Sequence, residues 1–490
     1  MGLELREYQS NSLDGLRSGF AAGHRALMLY APTGAGKTEI AIALLEATQK
    51  KGNRAAMILD RIILCDQTSQ RLEKYRIEHG VLQSGHWRYR PYEKIQVCSA
   101  QTLEKRGEFP GLTLMIVDEA HAMRTQTIQF IKSNPEIKVI GLSASPFTKG
   151  LGSVYEHVVS TVTTKQLVDQ KVLCPLRVFI AKEIDMTGAK KVAGEWSQAE
   201  ATERGMKITG DIVSEWIKKT HEIFGKPRKT IIFCSGVAHG ADLSKKFAER
   251  GYNFVSISYK DDDDFKRDAI EDFSKPDTEI HGLIATDILT KGFDVPDVMI
   301  GVSARPFRKS LSSHVQQMGR VMRGHPDKEF AVWLDHAGNY LRFREDWDEV
   351  YSNGVTALDD GREKPKTEKT EKEKEGSKCP RCGHLWAAGS DSCLNCGYTR
   401  EKRSMVESVP GEMEELAQAP SRESKQDWYS MCRYMVVHHG WNPGRAAHTY
   451  KEKFGVWPRG LTEAPKTPSV EFDKAVKAAL IRYMKGKGLK

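Results

Sequence analysis

The stretch RALMLYAPTGAGKTEI, residues 25–40, restricts the fold more than any other part of the chain. An apolar run ends in a glycine-rich turn, and the turn ends in Lys-Thr at the start of a helical pattern. The turn APTGAGKT fits G-x-x-x-x-G-K-T with Ala31 in place of the first glycine. Gly34 and Gly36 would let the backbone curl so that the successive N–H groups of Thr33, Gly34, Ala35 and Gly36 face phosphate oxygens. Lys37 would reach the outer phosphates, and the Thr38 hydroxyl would ligate Mg²⁺. Such a loop works only between a buried parallel strand and a helix, so an α/β domain is expected.

A second apolar run supports this. LMIVDEAHAM, residues 114–123, places Asp118, Glu119 and His121 at the end of a strand without polar residues. A carboxylate there is well placed to hold the metal, which Asp118 would do. Glu119 would orient and deprotonate a water, and His121 would couple the site to a second domain. The runs RAAMILD, IQVCSA and IKVIGLSA complete a first set of strands over residues 1–165. The helical stretch KTEIAIALLEATQKKG is expected to close at Gly52.

The alternation restarts over residues 166–350. PLRVFIA, KTIIFC, FVSIS, HGLIAT, VMIGVSA and FAVWLD read as strands, and ADLSKKFAERG and DFKRDAIEDFSK as helices. Two tandem parallel-sheet domains of similar size follow. Residues 185–210 are polar and glycine-rich, a loop or a helical insertion. In QQMGRVMR, residues 316–323, Arg320 and Arg323 are three apart and would share one helix face. They could then project into the cleft between domains as guanidinium donors to a phosphate, with Arg323 the expected arginine finger.

Beyond residue 360 the composition changes. Residues 361–378 form a charged linker without large apolar side chains. Residues 379–400 carry Cys379, Cys382, Cys393 and Cys396 as C-x₂-C, ten residues, C-x₂-C. Four thiolates at that spacing can close a tetrahedron about Zn²⁺; a pair of redox dithiols is the alternative. The other five cysteines are scattered, with no disulfide framework. Residues 401–420 read as an acidic loop. The +9 net charge is concentrated in residues 421–490, where 14 Lys/Arg face 6 Asp/Glu. A basic helical module that suits a polyanion is expected there. Its helices would meet at HHGWNPG, the second opening at Asn442-Pro443 and closing at Gly455. Trp428, Tyr429, Trp441, Tyr450, Phe454 and Trp457 would mostly form its core, flanked by Arg433, Arg445, Lys451, Lys453 and Arg459. No run approaches the ~18 apolar residues that span a bilayer. MGLELREYQS lacks a secretion signal, so a cytoplasmic location without membrane contact is expected.

These motifs, in this order, resemble the superfamily 2 helicases of DEAH-box type over roughly residues 1–345. LREYQ, residues 5–9, looks like the family's glutamine motif, which implies that Gln9, with Arg6 beside it, reads adenine. DRIILCDQ, residues 60–67, and SAQTL, residues 99–103, look like its first-domain nucleic-acid motifs, implying strand contacts from Arg61, Gln101 and Thr102. SAS, residues 143–145, matches the motif linking hydrolysis to movement. IIFCSG, residues 231–236, with Ser235, and ATDILTKGFDVPDV, residues 285–298, resemble the fourth and fifth motifs. By that likeness Ser235 and Thr286 would contact nucleic acid, and Gly292 and Asp294 the nucleotide. With the four-cysteine module and the WNPGRAAHTYKEKFGVWP tail, the architecture resembles the RadD-like family of bacterial and phage DNA-repair helicases. The likeness implies an ATP- and Mg²⁺-dependent enzyme acting on single-stranded or branched DNA, in repair or recombination, with a repair or replication protein as a further partner. Two other outcomes stay open: remodelling or binding of branched DNA or a protein without unwinding, and an RNA helicase.

Overall fold

The structure, a computed structural model, describes residues 3–106, 111–180, 209–286, 295–361, 422–454 and most of 458–476, with the pairs 191–192, 195–196 and 414–415. The first sheet has seven parallel strands: β1 Ala26–Tyr30, β2 Ala55–Leu59, β3 Gly80–Leu82, β4 Ile95–Ser99, β5 Leu114–Val117, β6 Lys138–Ser143 and β7 His157–Ser160. Their spatial order is β3-β4-β2-β5-β6-β1-β7. Strands β1, β2, β4 and β5 are buried at every position, as expected when helices cover both faces. Alternate residues serve opposite cores. Leu27, Leu29, Met57 and Leu59 pack on one face, Met28, Ala56 and Ile58 on the other.

The second sheet is built from β8 Leu176–Ile180, β11 Thr230–Cys234, β12 Phe254–Ser258, β13 Gly282–Thr286, β14 Ile300–Ala304, β15 Ala331–Asp335 and β16 Glu414–Glu415, in the order β12-β13-β11-β14-β15-β8-β16. A separate ribbon pairs β9 Lys191–Val192 with β10 Glu195–Trp196. All expected strands are present, and β3, β7, β9, β10 and β16 are additional. Glu414–Glu415 lies in the stretch read as an acidic loop but pairs antiparallel with β8, covering an otherwise open edge.

Two chain segments cross between the lobes on one side. The first, residues 161–175, contains the helix α6 Thr164–Asp169, capped by reciprocal Thr163 and Gln166 hydrogen bonds. Its Leu167 and Leu173 pack with Tyr8, Ala31 and Ala35 beneath the phosphate turn. The second follows the helix Arg344–Asn353. Val350 and Val355 cover Tyr30. Leu358 then joins the first-lobe core, and Gly152 N–H donates to the Asp359 carbonyl at 2.7 Å.

Toward the C-terminus, the helices Arg422–His439 and Pro443–Phe454 pack around Trp428, Tyr429, Cys432, Tyr450 and Phe472. Asn442 opens the second helix, its side chain accepting from Gly444 N–H at 2.8 Å. Residues 461–469, beyond the expected close of the second helix, are not helical. Pro465 and Pro468 forbid a helix there, and the segment lies along the first helix, with Lys466 N–H donating to Ser430 O. Arg433 pairs with Glu463 at 2.9 Å, and the Arg445 guanidinium sits 4.2 Å over Trp441.

The second lobe buries three histidines. Burial pushes His314 and His336 down to about 3, and His239 to about 4. Arg342 adds to the effect at His314. Neither His314 ring nitrogen has a hydrogen-bond partner, and Trp333, Tyr340 and Phe343 surround the ring. A depressed folded-state value means the unfolded chain takes up more protons between about pH 3 and the ordinary value near 6.5. The associated stability is therefore complete above pH 6.5 and is lost as pH falls. Replacing His314 with Phe is expected to make the lobe about 2 kcal/mol less acid-sensitive at pH 5. Acid titration of tryptophan fluorescence should show a lower unfolding midpoint; an unchanged midpoint would remove His314 from the account.

Candidate nucleotide site between the lobes

The strand order sets the site. β6 lies between β1 and β5, and Tyr30 is in register with Ser143. The phosphate turn, Ser143 and the Asp118–His121 turn therefore line up along the carboxyl edge of the sheet, where such folds hold ligands. Gly34 and Gly36 have φ of +88° and +79°, left-handed values that favour glycine. Gly36 also caps the helix α2 Lys37–Lys50, so the helix N-terminus faces the turn. A Cβ at Gly36 would lie 2.3 Å from Gln9 Nε2.

Lys37 Nζ bends over the turn and donates to the carbonyls of Ala31 and Pro32 at 3.0 and 3.3 Å. Burial lowers its pKa, opposed by Glu119 and Asp118 and reinforced by Arg320 and Arg323. All four side chains thus act on one ammonium group. Glu119 has φ of +48°, uncommon for a non-glycine residue. This kink ends the strand abruptly and starts the short 3₁₀ turn Ala120–Ala122. Glu119 Oε2 lies 3.2 Å from His121 Nδ1, which also contacts the Ser143 hydroxyl at 3.0 Å. Left-handed glycines, a helix N-terminus, a lysine and two carboxylates form a donor set that fits a triphosphate with its metal. Among the described residues no cluster of three or more His, Cys, Asp or Glu suits a metal ion.

The second lobe closes on this edge. In the helix Leu311–Val321 every residue from His314 to Val321 is buried. One side faces its own sheet. The polar side carries Gln316, Gln317 and Arg320, and the contacts of Gln316 run to the first lobe. Gln316 Nε2 lies 3.4 Å from Glu119 Oε2, 3.3 Å from His121 Nε2 and 3.2 Å from Ser145 Oγ. Ser145 and Ser312 hydroxyls are 2.6 Å apart. One turn further, a Cβ at Gly319 would lie 2.5 Å from Thr33 Cβ.

Arg320 is on the helix, but Arg323 is not, a correction to the shared helix face. The helix ends at Val321, and Arg323 forms an isolated antiparallel bridge with Leu173 in the first crossing segment. Cys174 N–H donates to Met322 O, and a Cβ at Gly324 would lie 2.6 Å from Val172 O. Pairing with residues 172–174 pulls the chain out of the helix while keeping Arg323 near the phosphate turn, its Cγ within 3.8 Å of the Gly34 Cβ position.

The remaining predicted positions are spread along the cleft and sheet edges. Gln9 is buried; its Nε2 donates to Ala35 O and its Oε1 accepts from Arg6 N–H. Arg61 precedes the helix α3 Ile62–Lys74 at the end of β2. Gln101 and Thr102 lie on the helix α4 Ala100–Arg106, just after β4. In the second lobe Ser235 donates to Ala304 O and Thr286 Oγ1 contacts Cys234 Sγ. Gly292, Asp294, Cys379, Cys382, Cys393 and Cys396 lie outside the described residues, as do Gly455 and Trp457. Sequence reasoning assigned nothing to Gln316, Gly319, Ser312 or Leu173. The spacing of Gln316 and Arg320, one helical turn, was the available signal for the first.

Two domain families match the chain, one on each lobe. Residues 2–148 match the type III restriction enzyme res subunit, and residues 215–325 the helicase conserved C-terminal domain. A 51.5 kDa protein of a Lactococcus phage is 24% identical over 382 residues, covering 76% of this chain and 77% of that protein. The "Putative ATP-dependent helicase IRC3" of Saccharomyces cerevisiae is 27% identical over 364 residues, covering 68% of this chain; the match spans about half of the yeast protein, 51%. Among solved structures, "the fragment structure of a putative HsdR subunit of a type I restriction enzyme" from Vibrio vulnificus YJ016 aligns with a TM-score of 0.55 at 18% identity, covering 73% of this chain and 70% of that one. The type ISP restriction-modification enzyme LlaBIII, bound to DNA, aligns at 0.50 with 17% identity, covering 67% of this chain and 27% of that one.

Two RecA-like lobes with a phosphate turn in their shared cleft define a helicase-type ATP hydrolase. With one match on each lobe, the chain is similar to the superfamily 2 helicases, among them the type III and type I restriction-enzyme subunits and IRC3.

Proposed function

We propose that this enzyme uses ATP hydrolysis to move along or unwind DNA, in repair or recombination, as a RadD-like helicase. One observation carries the mechanism: the polar face of the 311–321 helix is buried against the phosphate turn and the Asp118–His121 turn. Lys37, Thr38 and the turn amides would hold the phosphates, and Thr38 with Asp118 the Mg²⁺. The metal, when bound, neutralises phosphate charge. Glu119 takes the proton of the attacking water. Arg320 and Arg323 stabilise charge in the transition state, a role worth about 10³–10⁵ in rate. Gln316 contacts Glu119 and His121, so lobe closure and the position of the base are coupled. Gln9 and Arg6 would bind adenine, and Gly292 and Asp294 the nucleotide from the second lobe. Arg61, Gln101, Thr102, Ser235 and Thr286 would contact the strand.

The DNA-bound relative and the basic tail support DNA as substrate. ATPase assays with single-stranded DNA, duplex, branched DNA and RNA at stated salt are expected to show the largest stimulation by DNA. Stimulation by RNA alone would favour an RNA helicase, and none by any nucleic acid would remove the motor reading. Cys379, Cys382, Cys393 and Cys396 are proposed to hold a structural zinc. Elemental analysis of the purified chain should find about one zinc per molecule, and a metal-free protein would return these residues to the dithiol alternative.

A further inference from the structure

The loop between β3 and β4, with the sequence QSGHWRYRPYEK over residues 83–94, has no assigned role. It exposes three large aromatic side chains, Trp87 at 73%, Tyr89 at 52% and Tyr92 at 72%. Such exposure leaves apolar area in water and marks a contact surface when the rings share one loop. The loop backbone is well tied. Val81 N–H donates to Arg88 O, Gln96 Nε2 donates to the carbonyls of Arg90 and Glu93, and Arg88 pairs with Glu73. The exposed rings therefore stand on a preorganised support, which reduces the ordering cost of binding.

Its position in the sheet identifies the partner. In the order β3-β4-β2-β5, the carboxyl ends of the strands lead in turn to this loop, to Gln101 and Thr102, to Arg61, and to Asp118. His86 Nε2 lies 3.1 Å from Asp66, one helical turn along α3 from the half-exposed Ile62 that follows Arg61. Trp87 thus stands at the outer end of the row assigned to the nucleic-acid strand. Arg88 lies 4.7 Å over its ring and the His86 ring stacks beside it with centroids 5.9 Å apart, while Arg88 and Arg90 are paired with Glu73 and Glu78, so the loop offers exposed rings more than free charge. An indole that is 73% exposed on a rigid loop suits an unpaired base, whose flat face can stack on it.

We propose that Trp87 is a stacking platform for a base of single-stranded nucleic acid at the outer edge of the first lobe. The proposal rests on the strand-binding reading above, and its test separates the two. The full-length protein is titrated with a fluorescent oligothymidylate and with the same oligomer containing an abasic tract. Replacing Trp87 with Ala is expected to weaken binding of the intact oligomer about 5- to 150-fold. The variant should show a smaller preference for intact over abasic oligomer than the parent and an unchanged salt slope, because no phosphate contact is lost. Trp87→Phe should retain most of the affinity. Parent-like binding by Trp87→Ala, or an equal loss on intact and abasic oligomers, would overturn the platform while leaving strand binding intact. No binding by the parent chain would overturn both.

Discussion

Glu119→Gln is expected to bind ATP with near-parental affinity and to hydrolyse it about 10²–10⁴-fold more slowly. The amide keeps the shape of the side chain and can keep the contact with Gln316, but it cannot accept the proton of water. Because φ at Glu119 is +48°, the direction of this side chain depends on an uncommon backbone conformation held by its neighbours. Gln respects that constraint, so the defect should be chemical and not a failure of folding. Lys37→Ala is the contrasting variant and should lose both nucleotide affinity and turnover. Equilibrium binding of a fluorescent ATP analogue with steady-state ATPase rates separates them. Parental turnover in Glu119→Gln would overturn its role as base.

A second large effect is expected at Gly319. The helix there needs no left-handed conformation, so a larger residue is compatible with the local backbone. The obstacle lies across the cleft, where the added Cβ would meet Thr33 Cβ at 2.5 Å and its hydroxyl at 2.8 Å. Gly319→Leu should therefore hold the lobes apart while each folds normally. Displacing reacting groups by about 1 Å can cost about 10²-fold, and a loss of at least that size is expected in ATPase rate. Nucleotide affinity should fall far less, because the phosphate turn belongs to the first lobe. Circular dichroism and thermal unfolding would establish that the variant is folded. Parental ATPase activity in a folded Gly319→Leu would mean that turnover does not need this approach.

Much of this arrangement was legible in the sequence because buried parallel strands are continuous apolar runs. RALMLY and LTLMIVD could hardly be anything else beside a phosphate turn. The three-residue β3 is too short to give a pattern, and β7 is half-exposed, so neither stood out. Arg323 was misplaced onto the helix because its backbone follows a tertiary partner, Leu173, 150 residues away in sequence. Gln316 contacts Glu119 across 197 residues. Its composition carried no sign of that, since a buried glutamine and a solvated one look alike in a helix. In the tail, Asn442-Pro443 gave the start of the helix Pro443–Phe454 correctly, because capping is local chemistry.

The paired crossings on one side of the cleft limit how the two halves can part. Gly354, in the return segment, lies against the outgoing one: a Cβ there would sit 2.7 Å from Ser160 Oγ and 3.7 Å from Thr163 Cγ2. Adjacent tethers resist sliding and permit swinging, so displacement grows with distance from that flank. Groups beside it, such as Arg323 next to Leu173, would then travel little during a cycle. The longest excursions would fall to whatever the protein holds at the far rim.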